Sequence, residues 1–271
     1  MKYSINIFKT IMKTIIKVTS IILLAITLTN CKKDKTEPAQ PLPAQPTSGS
    51  LAFDFEAVVG DSTLIFSTET YTNQAGNTFN ITKFKYYISN IKLIKQDNST
   101  WSENYSYHIV DHSSSTGSAF TITGVPFDTY KGIEFMIGVD STHNVSGSQT
   151  GALDPTNDLY WSWNQGYIFA KLEGISPQST ASGNKIMYHI GGFSGTNNAI
   201  KVISPSFNGA TANVSANVTP EIHVKNELLN WLDTPNQMDF SAINVIMMPG
   251  ANSKKVADNY SSAFTIEHIH N

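Results

Sequence analysis

The chain has 271 residues, with 18 lysines, no arginine and 21 acidic side chains, for a formal charge of −3. Without arginine there is no planar guanidinium fork to read phosphate or a guanine edge, and a net negative chain gains nothing from counterion release, so nucleic acid is excluded as a partner. A single cysteine, Cys31, excludes a disulfide within the chain.

The first thirty residues carry four lysines (Lys2, Lys9, Lys13, Lys17), no acid, and then an apolar run from Val18 to Leu28. A basic stretch followed by a short apolar one is the pattern of an export signal, and the run is too short for a spanning helix, which needs about 20 apolar residues. It closes on Leu28-Thr29-Asn30-Cys31, which resembles a lipobox, although Asn30 stands where a small residue is usual. The expectation is a lipoprotein signal peptide over 1–30, lipidation at Cys31 and anchorage to a membrane through that lipid. Lys32 after the cysteine, where aspartate would favour retention in the inner membrane, points to the outer membrane. Losing the leader removes four lysines, leaving 14 against 21 acids and a formal charge of −7.

Residues 31–50 are rich in Pro, Ala, Gln and Ser, with prolines at 38, 41, 43 and 46, and read as a flexible stalk. From Leu51 the pattern changes to apolar residues at period two, with Gly, Asn, Asp or Pro between the runs. Strands are expected at Leu51 to Val59, Ser62 to Ser67, Ile81 to Gln96 (with a bulge or bend), Ser106 to Val110, Ser118 to Ile122 and Gly132 to Gly138. More are expected at Tyr160 to Glu173, Lys185 to Ile190, Ala199 to Pro205, Asn213 to Lys225, Ala242 to Met247 and Phe264 to His270. Asn226 to Leu232 and Ser253 to Ala263 carry apolar positions three and four apart and read as short helices or turns. The sum is an all-β domain over 51–271: a two-sheet antiparallel β-sandwich, Ig-like or jelly-roll-like, with one or two short helices.

No G-x-S-x-G elbow, H-E-x-x-H, phosphate loop or C-x-x-C occurs, so the chain is not expected to be an enzyme. Four of the seven histidines fall on expected strands in the last third: His189, His223, His268 and His270. The last two, spaced by two, project from one face and could share a metal ion; a frayed tail is the bland rival. His189 and His223 each point away from the apolar face of their strand, which suits either solvent exposure or convergence on one ion. Neutral imidazole suits copper or zinc, and a thioether from Met247 or Met248 would favour Cu(I). His108, His112 and His143 read as surface residues. Trp161 and Trp163, at strand spacing, read as core packing or as a platform for stacking on sugar, which gives the rival function of a surface adhesion or glycan-binding module. The Asp154 to Asp158 loop has the oxygen spacing of a calcium loop, but Asx-turn chemistry explains it more simply.

The segments FKYYISNIKL (84–93), FMIGVDSTHNVSGSQTGALDP (135–155), YWSWNQGYIFAKLEG (160–174) and YHIGG (188–192), with the closing MMPG and HIH, resemble the MbnP-like domain over about 51–271. That family is named for a copper-binding protein found beside methanobactin genes. The resemblance implies an extracytoplasmic β-sandwich that binds copper for storage, buffering or transfer. It implies His189, His223, His268 and His270 as ligands, and a dihaem peroxidase-like partner enzyme that oxidises a tryptophan to kynurenine, with Trp161 and Trp163 in the matching motif.

Overall fold

The computed structural model describes residues 45–60, 62–163 and 166–271, and the leader, Cys31 and most of the stalk lie outside the described residues. In chain order the elements are β1 (Ser48–Val59), β2 (Ser62–Thr63), β3 (Tyr71–Thr72), β4 (Thr78–Lys95), β5 (Thr100–Ser102), β6 (Tyr107–Asp111), β7 (Ala119–Pro126) and β8 (Asp128–Ile137). Then come α1 (Ser141–Val145), β9 (Tyr160–Trp161), β10 (Gly166–Tyr167), β11 (Ala170–Ile175), β12 (Lys185–Ile190), β13 (Lys201–Ile203) and β14 (Ala212–Val214). The last are β15 (Glu221–Glu227), α2 (Leu228–Asp233), β16 (Val245–Ile246), α3 (Ala251–Tyr260) and β17 (Phe264–His270).

The architecture is all-β and sandwich-like, as the period-two pattern implies. A smaller sheet runs β17-β15-β1-β2, with β7 also on β1; a larger one runs β13-β8-β4-β11-β12-β16, with β3, β5 and β6 on β4 and β14 on β8. Most pairings are antiparallel, but β1 lies parallel to β15 and β12 parallel to β16. A parallel pair needs a long crossover, which a reading of strand runs alone does not reveal.

Strand β4 is the spine of the larger sheet. Its early half pairs with β11 and its later half with β8, and the register shifts between Ser89 and Lys92, where Asn90 takes a left-handed φ of 52°. This is the bend expected in the Ile81 to Gln96 run, at a residue type that tolerates that conformation. Between the sheets lie Phe53, Phe55, Phe84, Tyr86, Phe135 and Trp231, all at most 1 % exposed. Each such ring stabilises the fold by roughly 1.5–3 kcal/mol. Trp231 meets Phe84 edge-on at 5.0 Å and Tyr260 at 4.7 Å, so α2 and α3 close one side of this core.

Four details differ from the sequence pattern. The Tyr160 to Glu173 run is not one strand, because Tyr160 and Trp161 pair antiparallel with Tyr167 and Gly166 before β11 begins. The Asn213 to Lys225 run divides at a turn bridged by Ser215 and Val218 and at Pro220, which has no N–H for a ladder. A third helix, α1, is five residues long, too short to show a period; Asp140 caps it by accepting from His143 N at 3.1 Å. Strand β1 starts at Ser48, within the stretch read as stalk. Among the described residues no helix is long and apolar enough to cross a membrane.

Candidate metal centre

On β15, Ile222, Val224 and Asn226 face the core, which turns Glu221, His223 and Lys225 outward. On β17, Phe264 and Ile266 face the core, and strict alternation would send His268 inward after them. A β-bulge prevents this. Val224 pairs with Ile266 but His223 pairs with His268, so Glu267 is the extra residue and the parity of the strand is reset. His268 and His270 therefore emerge on the same outer face as His223, with Ile269 turned under. The C-terminal strand is also pinned: Asn271 Oδ1 accepts from Asn213 N at 2.7 Å and its amide donates to Thr211 O at 2.9 Å, so the histidines do not sit on a frayed tail.

The three rings converge. His223 stacks on His268 with centroids 4.1 Å apart, His270 lies edge-on to both at 5.0 and 4.6 Å, and one nitrogen from each lies within 4.8 Å of the others. His268 Nε2 and His270 Nε2 are 3.1 Å apart. Two nitrogens bound to one tetrahedral ion at about 2.0–2.1 Å stand about 3.3 Å apart, so this pair is already near ligand spacing. His223 Nε2 is buried without a hydrogen-bond partner, 3.4 Å from Glu221 Oε2, and a cation would satisfy it. The residues present fit a copper or zinc ion.

Carboxylates surround the cluster. Asp54 Oδ2 lies 3.8 Å from His223 Nδ1, and Glu267 Oε2 lies 3.5 Å from His268 Nδ1. A hydrogen bond from Lys225 at 2.9 Å holds the Glu267 carboxyl below its usual range. Beside His223 opens a cleft of about 340 Å³ whose walls include Asp54, Glu56, Glu267 and His112.

His189 is not part of this centre. It stands on β12 in the larger sheet, opposite Lys171, with Nε2 2.7 Å from Glu173 Oε1, and this hydrogen bond holds Glu173 below the usual carboxylate range. Its Nδ1 is buried without a partner. Alternation turns His189 and His223 away from the most apolar face of their own strands, but His189 is buried and the two strands belong to different sheets, so the shared parity does not bring them together.

The thioethers are elsewhere too. Met247 and Met248 line a groove of about 430 Å³ with Val245, Pro249 and Ser253, and no histidine borders it. Trp161 and Trp163 do not form a platform: Trp161 is 3 % exposed and packs on Gly191, whereas Trp163 is 58 % exposed. Strand β9 ends at Trp161, so strand spacing does not extend to Trp163.

The remaining histidines are less exposed than surface loops suggest. His112 accepts or donates at 3.0 Å to Tyr86 OH and lies over Phe84, and burial pulls its pKa down to about 4. His108 lies flat on Phe120 at 4.0 Å and meets Glu103 at 2.8 Å. His143 Nδ1 sits 2.7 Å from Tyr107 OH and 3.0 Å from Asp140 Oδ2. In the Asp154 loop, Asp154 Oδ1 accepts from Thr156 N and its hydroxyl, the Asx turn rather than a calcium cage.

A charged network on the larger sheet had no sequence signal, because it joins strands to a distant loop. Asp158 takes Lys171 Nζ at 2.7 Å and Lys83 Nζ at 3.1 Å, with Lys85 Nζ at 4.0 Å. Burial alone would raise the Asp158 carboxyl, but hydrogen bonds from Lys171 and Lys83 and their charges bring it down to about 2.

The domain is an all-β sandwich with a cluster of three imidazoles on its smaller sheet, a set of ligands that could hold a metal ion. The family model MbnP matches residues 48–248, and the chain belongs to the MbnP family. His223 falls inside that match and His268 and His270 beyond it. A solved structure, MbnP from Methylosinus trichosporium, is 13 % identical, covering 82 % of this chain and 99 % of that one with a TM-score of 0.49. Among curated proteins nothing matches.

Proposed function

We propose that this protein is a non-enzymatic copper-binding lipoprotein that holds the ion through His223, His268 and His270 for storage, buffering or transfer outside the cytoplasm. The observation that carries this reading is the convergence of three imidazoles, two of them 3.1 Å apart, brought to one face by a bulge. Membership of the MbnP family supports copper as the ion, and imidazole donors suit it. Anchorage through a lipid on Cys31, in the outer membrane, is the part of the reading that rests on the leader sequence. A dihaem peroxidase-like partner that oxidises Trp161 or Trp163 is a further part, carried by the family motif alone. The glycan-binding alternative draws less support, because Trp161 is buried and only Trp163 of the pair is exposed.

The test is calorimetric titration of the purified full-length chain with copper, beside a His268→Ala/His270→Ala variant, with intact mass on protein from the native host. Micromolar or tighter binding that the variant loses is expected, and a mass excess located on a tryptophan would add the partner enzyme. Copper binding weaker than millimolar, or unchanged in the variant, would refute the site.

A further inference from the structure

A second group of metal-ligating side chains shares no residue with the imidazole cluster. Tyr107 opens β6, which pairs with β4 in the larger sheet, and Asp140 and His143 stand at the start of α1, after β8. His143 Nδ1 lies 2.7 Å from Tyr107 Oη and 3.1 and 3.0 Å from Asp140 Oδ1 and Oδ2, and Tyr107 Oη also touches Asp140 Oδ2. These contacts have at most two protons to share, the phenol's and one on Nδ1. Some of them therefore hold no proton of their own, and lone pairs face one another across the cluster, which a bound cation relieves.

We infer that Tyr107, Asp140 and His143 form a second metal site, one that takes ferric iron through a phenolate, a carboxylate and an imidazole. The donor set decides the ion. Two anionic oxygens attract a cation in proportion to its charge, which favours a trivalent ion over a divalent one. Anionic oxygen suits hard ions, imidazole suits iron as well, and a tyrosine oxygen is a ligand that iron accepts. Cis ligands of an octahedral ion with bonds of about 2.0–2.1 Å stand roughly 2.9 Å apart, so separations of 2.7 and 3.0 Å need little adjustment.

The charges are available as well. Burial would raise the Asp140 carboxyl, but hydrogen bonds from Tyr107 and His143 hold it below its usual range, so it is an anion before metal arrives. Burial, and then Asp140, push the Tyr107 phenol above its ordinary value, so it becomes an anion only with metal: the ion displaces the phenol proton to water and stays ferric throughout. The His143 and Asp140 side chains are 30 % and 22 % exposed, which opens the cluster to solvent and leaves the ion's remaining positions to water. Tyr105, at a left-handed φ of 51° that is unusual for an aromatic residue, packs edge-on against the rings of Tyr107 at 5.2 Å and His143 at 5.7 Å.

The experiment adds ferric nitrilotriacetate to the full chain and follows visible absorption, because a phenolate bound to ferric iron gives a charge-transfer band that neither has alone. Resonance Raman spectra excited in that band should show tyrosine ring modes. The wild type is compared with Tyr107→Phe, Asp140→Asn, Tyr105→Phe and His268→Ala/His270→Ala, with circular dichroism and a thermal melt confirming that each folds. Asparagine at 140 keeps the helix cap. The band should appear in the wild type, Tyr105→Phe and His268→Ala/His270→Ala, and be absent from Tyr107→Phe. Asp140→Asn should bind iron at least about 100-fold more weakly, since even outer-shell partners of a metal are worth roughly 10–100-fold. Copper titrated in parallel should bind Tyr107→Phe as it binds the wild type. A wild type without the band, a band that survives Tyr107→Phe, or one that is lost in Tyr105→Phe or in His268→Ala/His270→Ala overturns the inference, and none of these results bears on copper at the imidazoles.

Discussion

Substituting Asp158→Asn keeps the shape of the side chain and removes the charge on which three lysines converge. The partners differ in exposure: the Lys171 side chain is 4 % exposed and that of Lys85 10 %, whereas the carboxylate is 55 % exposed. From the carboxylate's side, a fall from the ordinary 3.8 to about 2 corresponds to about 2.4 kcal/mol at 1.36 kcal/mol per unit, and solvent screening of so exposed a group reduces this to about 1 kcal/mol. From the lysine's side, an enclosed ammonium stripped of its counter-charge costs up to about 3 kcal/mol. The expected loss is therefore about 1–3 kcal/mol, or roughly 3–9 °C in Tm for a domain of this size. Because the folded-state pKa lies below the unfolded one, this stability is complete above about pH 4 and is lost as the pH falls towards 2. Thermal melts of both proteins from pH 7 to pH 2.5 measure it, and the gap between them should close in that acid window. A gap that is absent at pH 7, or that persists unchanged at pH 2.5, would refute the assignment of Asp158 as the charge that holds the loop to the sheet.

Other outcomes follow from the same geometry. His112 is held neutral with a pKa near 4, below the ordinary 6.5, so the unfolded chain binds its proton first; stability should fall by the order of 2–3 kcal/mol as the pH drops from 6.5 to 4, and His112→Phe should flatten that part of the urea-midpoint profile. Gly191→Ala would place a Cβ 2.7 Å from both Trp161 Cζ3 and the carbonyl oxygen of Tyr167, neither of which can yield, so denaturant unfolding should show a loss of about 1–3 kcal/mol or more. Deleting Glu267 removes the bulge residue and leaves His268 and His270 on the outer face of a regular ladder, so copper titration should still show binding. Deleting Ile269 shortens the strand by the same one residue but turns His270 inward and should abolish it.

Much of the fold was legible because a half-buried strand writes its burial into alternate residues. Leu51, Phe53, Phe55 and Ala57 on β1, or Ile222 and Val224 on β15, announce both a strand and its inner face. What alternation does not contain is the identity of the neighbouring strand. Nothing in the residues of β1 says that it lies parallel to β15, 169 positions later in the chain, and it is this pairing that sets Asp54 beside His223. The short α1 and the broken Tyr160 to Glu173 run were missed for a related reason: where elements are two to five residues long, turns and caps decide the conformation and no period has room to appear.

The histidine site shows the same division at the level of single residues. The spacing of His268 and His270 places them on one face whichever face that is, so the pair could be read from the sequence. Which face it is depends on the bulge at Glu267. By parity with Phe264 and Ile266 the pair would be buried, and only the shift in pairing with β15 brings it out to His223. His189 stands apart on equally local grounds: it is buried on β12, and Glu173, two residues from Lys171 on the adjacent strand, already holds its Nε2. A residue's face is a property of its own strand, whereas a metal site is a property of the strands beside it. A cluster drawn from β15 and β17, which pair directly, survives that requirement, and one that also needed β12 in the other sheet does not.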